Sequence, residues 1–413
     1  MSARPSISVL SLLLLLLPCT SLSDWEPIGP EGGEINSITQ SLTDPDVLYA
    51  ASGSYPVIVV RSYDGGQSWS QVGTYNGYNY CMTIGPTGIL NAGGAHAVYR
   101  STNGGVTWTT KSLSNVYVYS MVAHPTDPDI VYAAGYQYVS SQWRMAFLRS
   151  VNGGSDWTVT PLLSEASYGR CVAVSLSNPD IVWVGGYCTT ASPYDPRVFK
   201  STDGGDSFTE VVNSGWNDDY YLYSLAVHPT NPDIVCVGTY YGIFRTTNGG
   251  SSWSEVAQYY YYNYDMEFSR LDPNYVYVAG YSQIYRSSNA GQTWTKISSG
   301  LSGTGIDNIA ASLGQASDAY IGSIAGFFMS ENYGSTWTQS NSGLTLGKVI
   351  AYGMSPSQPS IIYKCLTDMG VYKTTDAGNT WIDIETPLTC GDFCAMATHL
   401  SDPDIVLALE GSG

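Results

Sequence analysis

The chain has 413 residues with 34 acidic against 16 basic side chains, a formal charge of −18. That balance excludes a nucleic-acid partner, because too little positive charge is present to release counterions from a phosphate backbone, and it favours a basic or cationic one. Tyrosine is the compositional outlier at 34 residues, well above ordinary usage, and that excess needs a physical reason.

Residues 1–23 read as an export leader, with Arg4 ahead of an apolar run from Val9 to Leu17 and the small residues Ser21 and Ser23 before Asp24. The run is too short to anchor in a bilayer, and no later segment is long and apolar enough to span one, so no membrane insertion is expected. Pro18 ahead of Cys19 argues against lipid attachment. Residues 24–413 are therefore expected to be a single secreted domain, extracellular or on a cell surface. No tripeptide satisfies the N-glycosylation rule.

Of eight cysteines, Cys19 leaves with the leader, and the odd remainder cannot all pair within one chain. Cys171 with Cys188, which flank two predicted strands, and Cys390 with Cys394 are the disulfide candidates. Cys81, Cys236 and Cys365 have no evident mates and read as buried thiols.

From Ser62 onward an octapeptide, Ser/Thr-x-Asp/Asn-x-Gly-x-Ser/Thr-Trp, recurs along the chain, with Phe208 once replacing the final Trp. Its key residues are Asp64, Asn103, Asn152, Asp203, Asn248, Asn289, Asn332 and Asp376. A period of about 40–50 residues is one four-stranded propeller blade. The short side-chain oxygen caps turn N–H groups, Gly supplies positive φ, and the Trp packs inward. Asn serves as well as Asp because the task is to accept hydrogen bonds, so these acids are structural rather than catalytic.

A second motif precedes many of the boxes: Asp44-Pro45-Asp46, Asp127-Pro128-Asp129, Asn178-Pro179-Asp180, Asn231-Pro232-Asp233 and Asp402-Pro403-Asp404. Each reads as a tight turn feeding a buried strand. The fold expected is all-β: a single large propeller of four-stranded antiparallel blades, eight full ones plus a partial ninth that starts near Cys394. The N-terminal Trp25-Glu26-Pro27-Ile28 is expected to complete the ninth and close the ring, which removes exposed edges. The alternative is that further blades follow Gly413.

The eight boxes make residues 24–413 resemble the Asp-box, or BNR-repeat, propellers, a group that includes sialidases, xyloglucan-active hydrolases, sortilin-type receptors and photosystem assembly factors. The resemblance implies a fold and leaves the function open. A sialidase would imply an Arg-Ile-Pro segment, which this sequence lacks, and a convergent arginine cluster. Arg61, Arg100, Arg149, Arg245 and Arg286 instead repeat at one scaffold position before the boxes, and Arg144, Arg170, Arg197 and Arg270 show no sign of meeting. A xyloglucanase-like enzyme would imply two carboxylates across a cleft. Glu165, Asp195, Asp218, Asp219, Asp265, Glu267, Asp307 and Asp368 lie outside the repeats, and no catalytic motif selects among them. His124, His228 and His399 sit at or near one repeated turn position, and only His96 stands apart. No metal-binding spacing or cofactor motif is present.

The surplus tyrosine concentrates where each outer strand connects to the next inner strand. In chain order these connections carry Tyr75, Tyr78 and Tyr80; Tyr117 and Tyr119; Tyr168; Trp216, Tyr220, Tyr221 and Tyr223; then Tyr259, Tyr260, Tyr261, Tyr262 and Tyr264. Loops between second and third strands, which emerge on the same face, add Tyr136, Tyr138, Trp143, Tyr187 and Tyr194. Flat rings with polar tips suit a recognition surface, and Asp218, Asp219, Asp265 and Glu267 would make it acidic. The plainer reading is filler for a wide channel. The function expected is non-enzymatic binding of an extracellular glycan or protein segment. A glycoside hydrolase and a self-associating surface protein are the alternatives.

Overall fold

A computed structural model describes residues 32–410, apart from 54, 191–193, 212–220, 259–262, 281–282, 298, 300, 302–304, 345, 347–348, 367–369, 379, 385–392 and 399–401. Every regular element described is a β-strand. The strands form successive antiparallel meanders in which sequence neighbours pair. The predicted all-β class and four-stranded units are both present.

The innermost strands of the first seven units are Ser37–Gln40, Cys81–Ile84, the second half of Thr109–Ala123, Ser167–Val174, Leu222–Val227, Asn263–Phe268 and Ile306–Ala311. Units two and three share the long strand Thr109–Ala123, so their seven strands form one sheet. In units such as the fifth, burial is greatest on the second strand and least on the outermost. Val235–Thr239, the second strand of unit five, is buried throughout, because it is covered by neighbouring units on both faces and so reads as a continuous apolar run. Outer strands such as Thr295–Lys296 are exposed.

The octapeptide turns are built as their chemistry requires. In the first, Ser62 Oγ donates to Asp64 Oδ1 at 2.7 Å and accepts from Gly66 N–H, while Asp64 Oδ1 accepts from Ser68 N–H at 2.8 Å. Gly65 and Gly66 both have positive φ, and a β-carbon on Gly66 would lie 2.6 Å from the Phe327 ring. Asn103 makes the same bonds, with its amide N–H₂ donating to Thr107 Oγ1. Hydrogen bonds from Ser207 and Ser201 hold the Asp203 carboxyl down at about 2. Asp203→Asn is therefore expected to leave the melting temperature nearly unchanged, because the acceptor geometry survives. Ser201→Ala leaves the half-buried Gly205 N–H without its acceptor and should cost about 1 kcal/mol. Thermal unfolding of the two variants checks the contrast.

Where the residue before a box is basic, it can reach into the next unit. Arg100 Nε donates to Gly153 O at 2.8 Å, Arg245 Nε to Ala290 O at 2.7 Å and Lys200 Nζ to Gly249 O at 3.2 Å. The scaffold role read from their repetition is what they perform. His124 and His228 are turn residues, each Nδ1 accepting backbone N–H groups of the Pro turn that follows.

Closure differs from the expectation. The seven inner strands contact one another in cyclic order, and Ser37–Gln40 of unit one packs against Ile306–Ala311 of unit seven. Ile38 N–H donates to Asn308 Oδ1 at 3.1 Å and Leu313 N–H to Gln40 Oε1 at 2.8 Å. The segment leaving unit seven then lies along unit one: Trp69 N–H donates to Ser342 O, Gly32 N–H to Leu344 O, and Leu344 and Leu346 are buried beside Ile35 and Leu48. The N-terminal region thus meets the seventh unit, not the ninth. Units eight (Val349–Met354, Ile362–Leu366, Gly370–Thr374, Ile382–Asp383) and nine (Phe393–Thr398, Val406–Glu410) pack on each other through their inner strands. Tyr352 and Leu407 are 73% and 72% exposed there, although the matching ring residues Met266 and Tyr132 are buried at 5% and 1%. Trp25 to Ile28 lie outside the described residues.

The Cys171–Cys188 pairing is also corrected. In register, Cys171 stands opposite Gly185 and Cys188 opposite Ser167, about 10 Å apart along the sheet at ordinary strand rise and too far for a disulfide. Both are buried free thiols, as are Cys81 and Cys236, and Cys365 is buried as well. Cys390 lies outside the described residues.

Candidate functional site

All seven inner strands line one central cavity of about 340 Å³. A β-bulge recurs at the same place in five of them, at Tyr119, Arg170, Tyr223, Tyr264 and Asp307. A bulge leaves one residue unpaired and re-aims its side chain, and Tyr119, Arg170, Tyr223 and Tyr264 are turned to one end of the channel. In three of the five the residue one step further in turns to the neighbouring unit and caps its inner strand. Ser120 Oγ accepts from Val172 N–H, Asp265 Oδ2 from Ile309 N–H and Asn308 Oδ1 from Ile38 N–H.

At the bulged end the aromatics form one continuous network. Tyr78 stacks on Tyr80, and Tyr80 lies parallel to Tyr119 at 4.8 Å and 8°. Tyr119 and Tyr136 join hydroxyl to hydroxyl at 3.2 Å. Tyr117, Tyr138 and Tyr136 surround Trp143 at 5.0–5.3 Å. Tyr136 continues to Tyr168, Tyr168 to Tyr187, Tyr187 to Tyr221 and Tyr223, and Tyr223 to Tyr264. The sequence placed these rings on one face, and the structure joins them across units two to six. Tyr78, Tyr138 and Tyr194 are exposed on this surface, while burial, with added repulsion from Tyr119, raises the Tyr80 hydroxyl to about 12. Trp216, Asp218, Asp219, Tyr220, Tyr260 and Tyr261 lie outside the described residues.

Arg170 was not singled out by sequence reasoning, yet it sits at the centre of this network. Its guanidinium lies 4.6 Å from the Tyr119 ring centroid, 5.6 Å from Tyr187 and 5.8 Å from Tyr223, and it donates to Tyr187 Oη at 3.0 Å. Burial opposes its charge, but the surrounding tyrosines outweigh burial and hold its pKa above the ordinary value. The signal available in the sequence was its alignment with Tyr119, Tyr223 and Tyr264, the one cation at that repeat position.

Asp265, expected among the binding residues, turns into the channel wall instead. It accepts from Met266 and Ile309 N–H, and Glu267, two residues on, accepts from Ala311 N–H at 3.1 Å. Burial raises Asp265 to about 6 and Glu267 to about 7, the latter also raised by Asp265 and lowered by Arg270. Glu165 and Asp195 are bound to Arg197, which also pairs with Glu210. Among the described residues no group of His, Cys, Asp and Glu converges as a metal site.

No family model matches the sequence, and no curated protein sequence matches it. Solved structures do share its fold. An ancestral GH74 enzyme superposes with a TM-score of 0.71 at 16% identity, covering 94% of this chain and 60% of that one. The GH74 xyloglucanase from Xanthomonas campestris gives 0.64 at 12% identity, covering 91% and 71%. YCF48 from Cyanidioschyzon merolae gives 0.53 at 15% identity, covering 74% and 98%. The fold is thus that of β-propellers, and the chain spans 60–71% of the two GH74 chains.

Proposed function

We propose that this chain is a secreted, non-enzymatic binding propeller whose aromatic channel mouth holds a glycan or a protein segment. The observation that carries the reading is the unbroken aromatic network from Tyr78 to Tyr264 around Arg170, with rings left exposed at Tyr78, Tyr138 and Tyr194. Rigid amphipathic rings bind at small entropic cost. Export rests on the leader; it predicts a secreted product whose N-terminal sequence begins at Asp24, and retention of residues 1–23 would overturn it.

The hydrolase reading draws on the shared GH74 fold and on the raised carboxyls Asp265 and Glu267. Both carboxylates, however, lie on one strand and clamp the backbone of the next, which leaves them poorly placed to attack a substrate. Incubation with a glycan and polysaccharide array, scoring retained ligand and released reducing ends together, separates the readings. Retention without release, weakened about tenfold when Tyr78 and Tyr138 are both changed to Ala, supports binding. Released sugar, or retention indifferent to those changes, overturns it.

A further inference from the structure

Resting on that binding reading, we infer that the mouth seats an acidic sugar: a single hexuronate within an otherwise neutral oligosaccharide, its carboxylate on Arg170 and its ring face against the tyrosines. Three observations converge on this ligand.

Arg170 lacks a counter-ion. Among the described residues Arg149 and Arg197 pair with carboxylates, but Arg170 has only the Tyr187 hydroxyl and three ring faces. Its Nε is buried with no hydrogen-bond partner. A guanidinium carries five donors in a fork that matches a carboxylate, so donor capacity is left over at the wall of the cavity it lines.

The walls have the complementary chemistry. Tyr80, Tyr119, Tyr223 and Tyr264 line the cavity with apolar faces tipped with hydroxyls, which suits a sugar ring that is apolar on its face and hydroxylated at its edge. The cavity of about 340 Å³ falls at the small end of ordinary ligand pockets.

Overall charge limits the ligand further. At −18 the protein repels a densely charged polyanion over roughly a Debye length, about 8 Å at physiological salt. One isolated carboxylate reaching a desolvated guanidinium pays little of that repulsion. A peptide C-terminus offers the same carboxylate without the flat hydroxylated ring, so the sugar is the better match.

The test is calorimetric titration of the full chain with aldotetraouronic acid, a glucuronate on xylotriose, and with its carboxyl-reduced neutral counterpart. Wild type should bind the acid on the order of ten- to a hundredfold tighter than the reduced sugar. R170M should erase the preference. If R170M does not fold, R170K serves, since it keeps the charge, loses the fork and should lower the preference. Equal binding of the two sugars overturns the inference while leaving the binding function intact. It is also overturned by a preference that survives loss of the fork, by failure to bind either sugar, or by tighter capture of a peptide through its C-terminal carboxylate. The binding function itself falls only if the array shows hydrolysis or a mouth indifferent to Tyr78 and Tyr138.

Discussion

Phe327→Ala is expected to lower stability by about 3–5 kcal/mol, and its effect should couple to a residue at the opposite end of the ring sequence. Phe327 is fully buried in the third strand of unit seven. It meets the Trp69 ring of unit one edge-on at 4.8 Å, touches Tyr320 at 5.6 Å and fills the space that Gly66 leaves open. If units one and seven are true neighbours, Phe327→Ala and Trp69→Ala share one cavity and should fall short of additivity by about 0.5–1.5 kcal/mol. Urea unfolding of the two single variants and the double variant measures this. Strict additivity would mean that the first unit is completed by some other part of the chain.

The second large effect is a pH dependence opposite to that of most proteins. Asp265 and Glu267 have folded-state values near 6 and 7, above those of free carboxylates, because the channel wall desolvates them. A carboxyl whose folded pKa is raised binds its proton more tightly in the native state, so the ionised form is a penalty on folding. That penalty is fully present above about pH 7 and is relieved as pH falls through 7 towards 4, the ordinary carboxylate range. The urea midpoint should therefore rise between pH 8 and pH 5, by up to a few kcal/mol in stability terms. D265N with E267Q keeps an oxygen to accept the Ile309 and Ala311 N–H groups and should flatten the profile. A wild-type midpoint that falls steadily over that range, or a profile unchanged in the double variant, would show that these two groups do not titrate as a buried pair. Asp265→Ala is a separate matter, since it orphans Ile309 N–H and should cost about 1–3 kcal/mol at any pH.

Both experiments bear on the site as well as on the fold. The residues that cap the next unit's inner strand lie directly inside the bulged residues that form the mouth. Asp265 follows Tyr264, and Ser120 follows Tyr119. The mouth therefore stands on the inter-unit hydrogen bonds, and a shift in unit packing moves the aromatic network with it.

Much of this was written locally. The octapeptide's Ser, Asp or Asn, paired positive-φ positions and Trp close on one another within eight residues, so their geometry could be read from spacing alone, and the structure shows Ser62, Asp64 and Gly66 doing what spacing implies. The placement of Tyr78, Tyr117, Tyr168 and Tyr221 on one face followed as well, because outer-to-inner connections emerge together in any meander of this kind. What could not be read was what meets what across units. The sequence offered nine repeats and two ends, and an open count invites the ends to close on each other. Which unit closes on the first is set by the twist and splay accumulated over seven units, a sum no local motif records. Arg170 escaped for the same reason: as one arginine in Tyr-Gly-Arg-Cys it has no motif, and its character comes from Tyr119, Tyr187 and Tyr223, which lie 51, 17 and 53 positions away in sequence and arrive from three units. The cysteines carry the same lesson, since Cys171 and Cys188 sit on adjacent strands and only register shows that they miss. The sequence by itself determined the repeated unit, its turns and the face that carries the aromatics, because those depend on contacts within about 50 residues. Only the tertiary structure decided the partner of the first unit, the cation at the centre of the mouth and the burial of Asp265 and Glu267, because each depends on surfaces that touch only once the ring has formed.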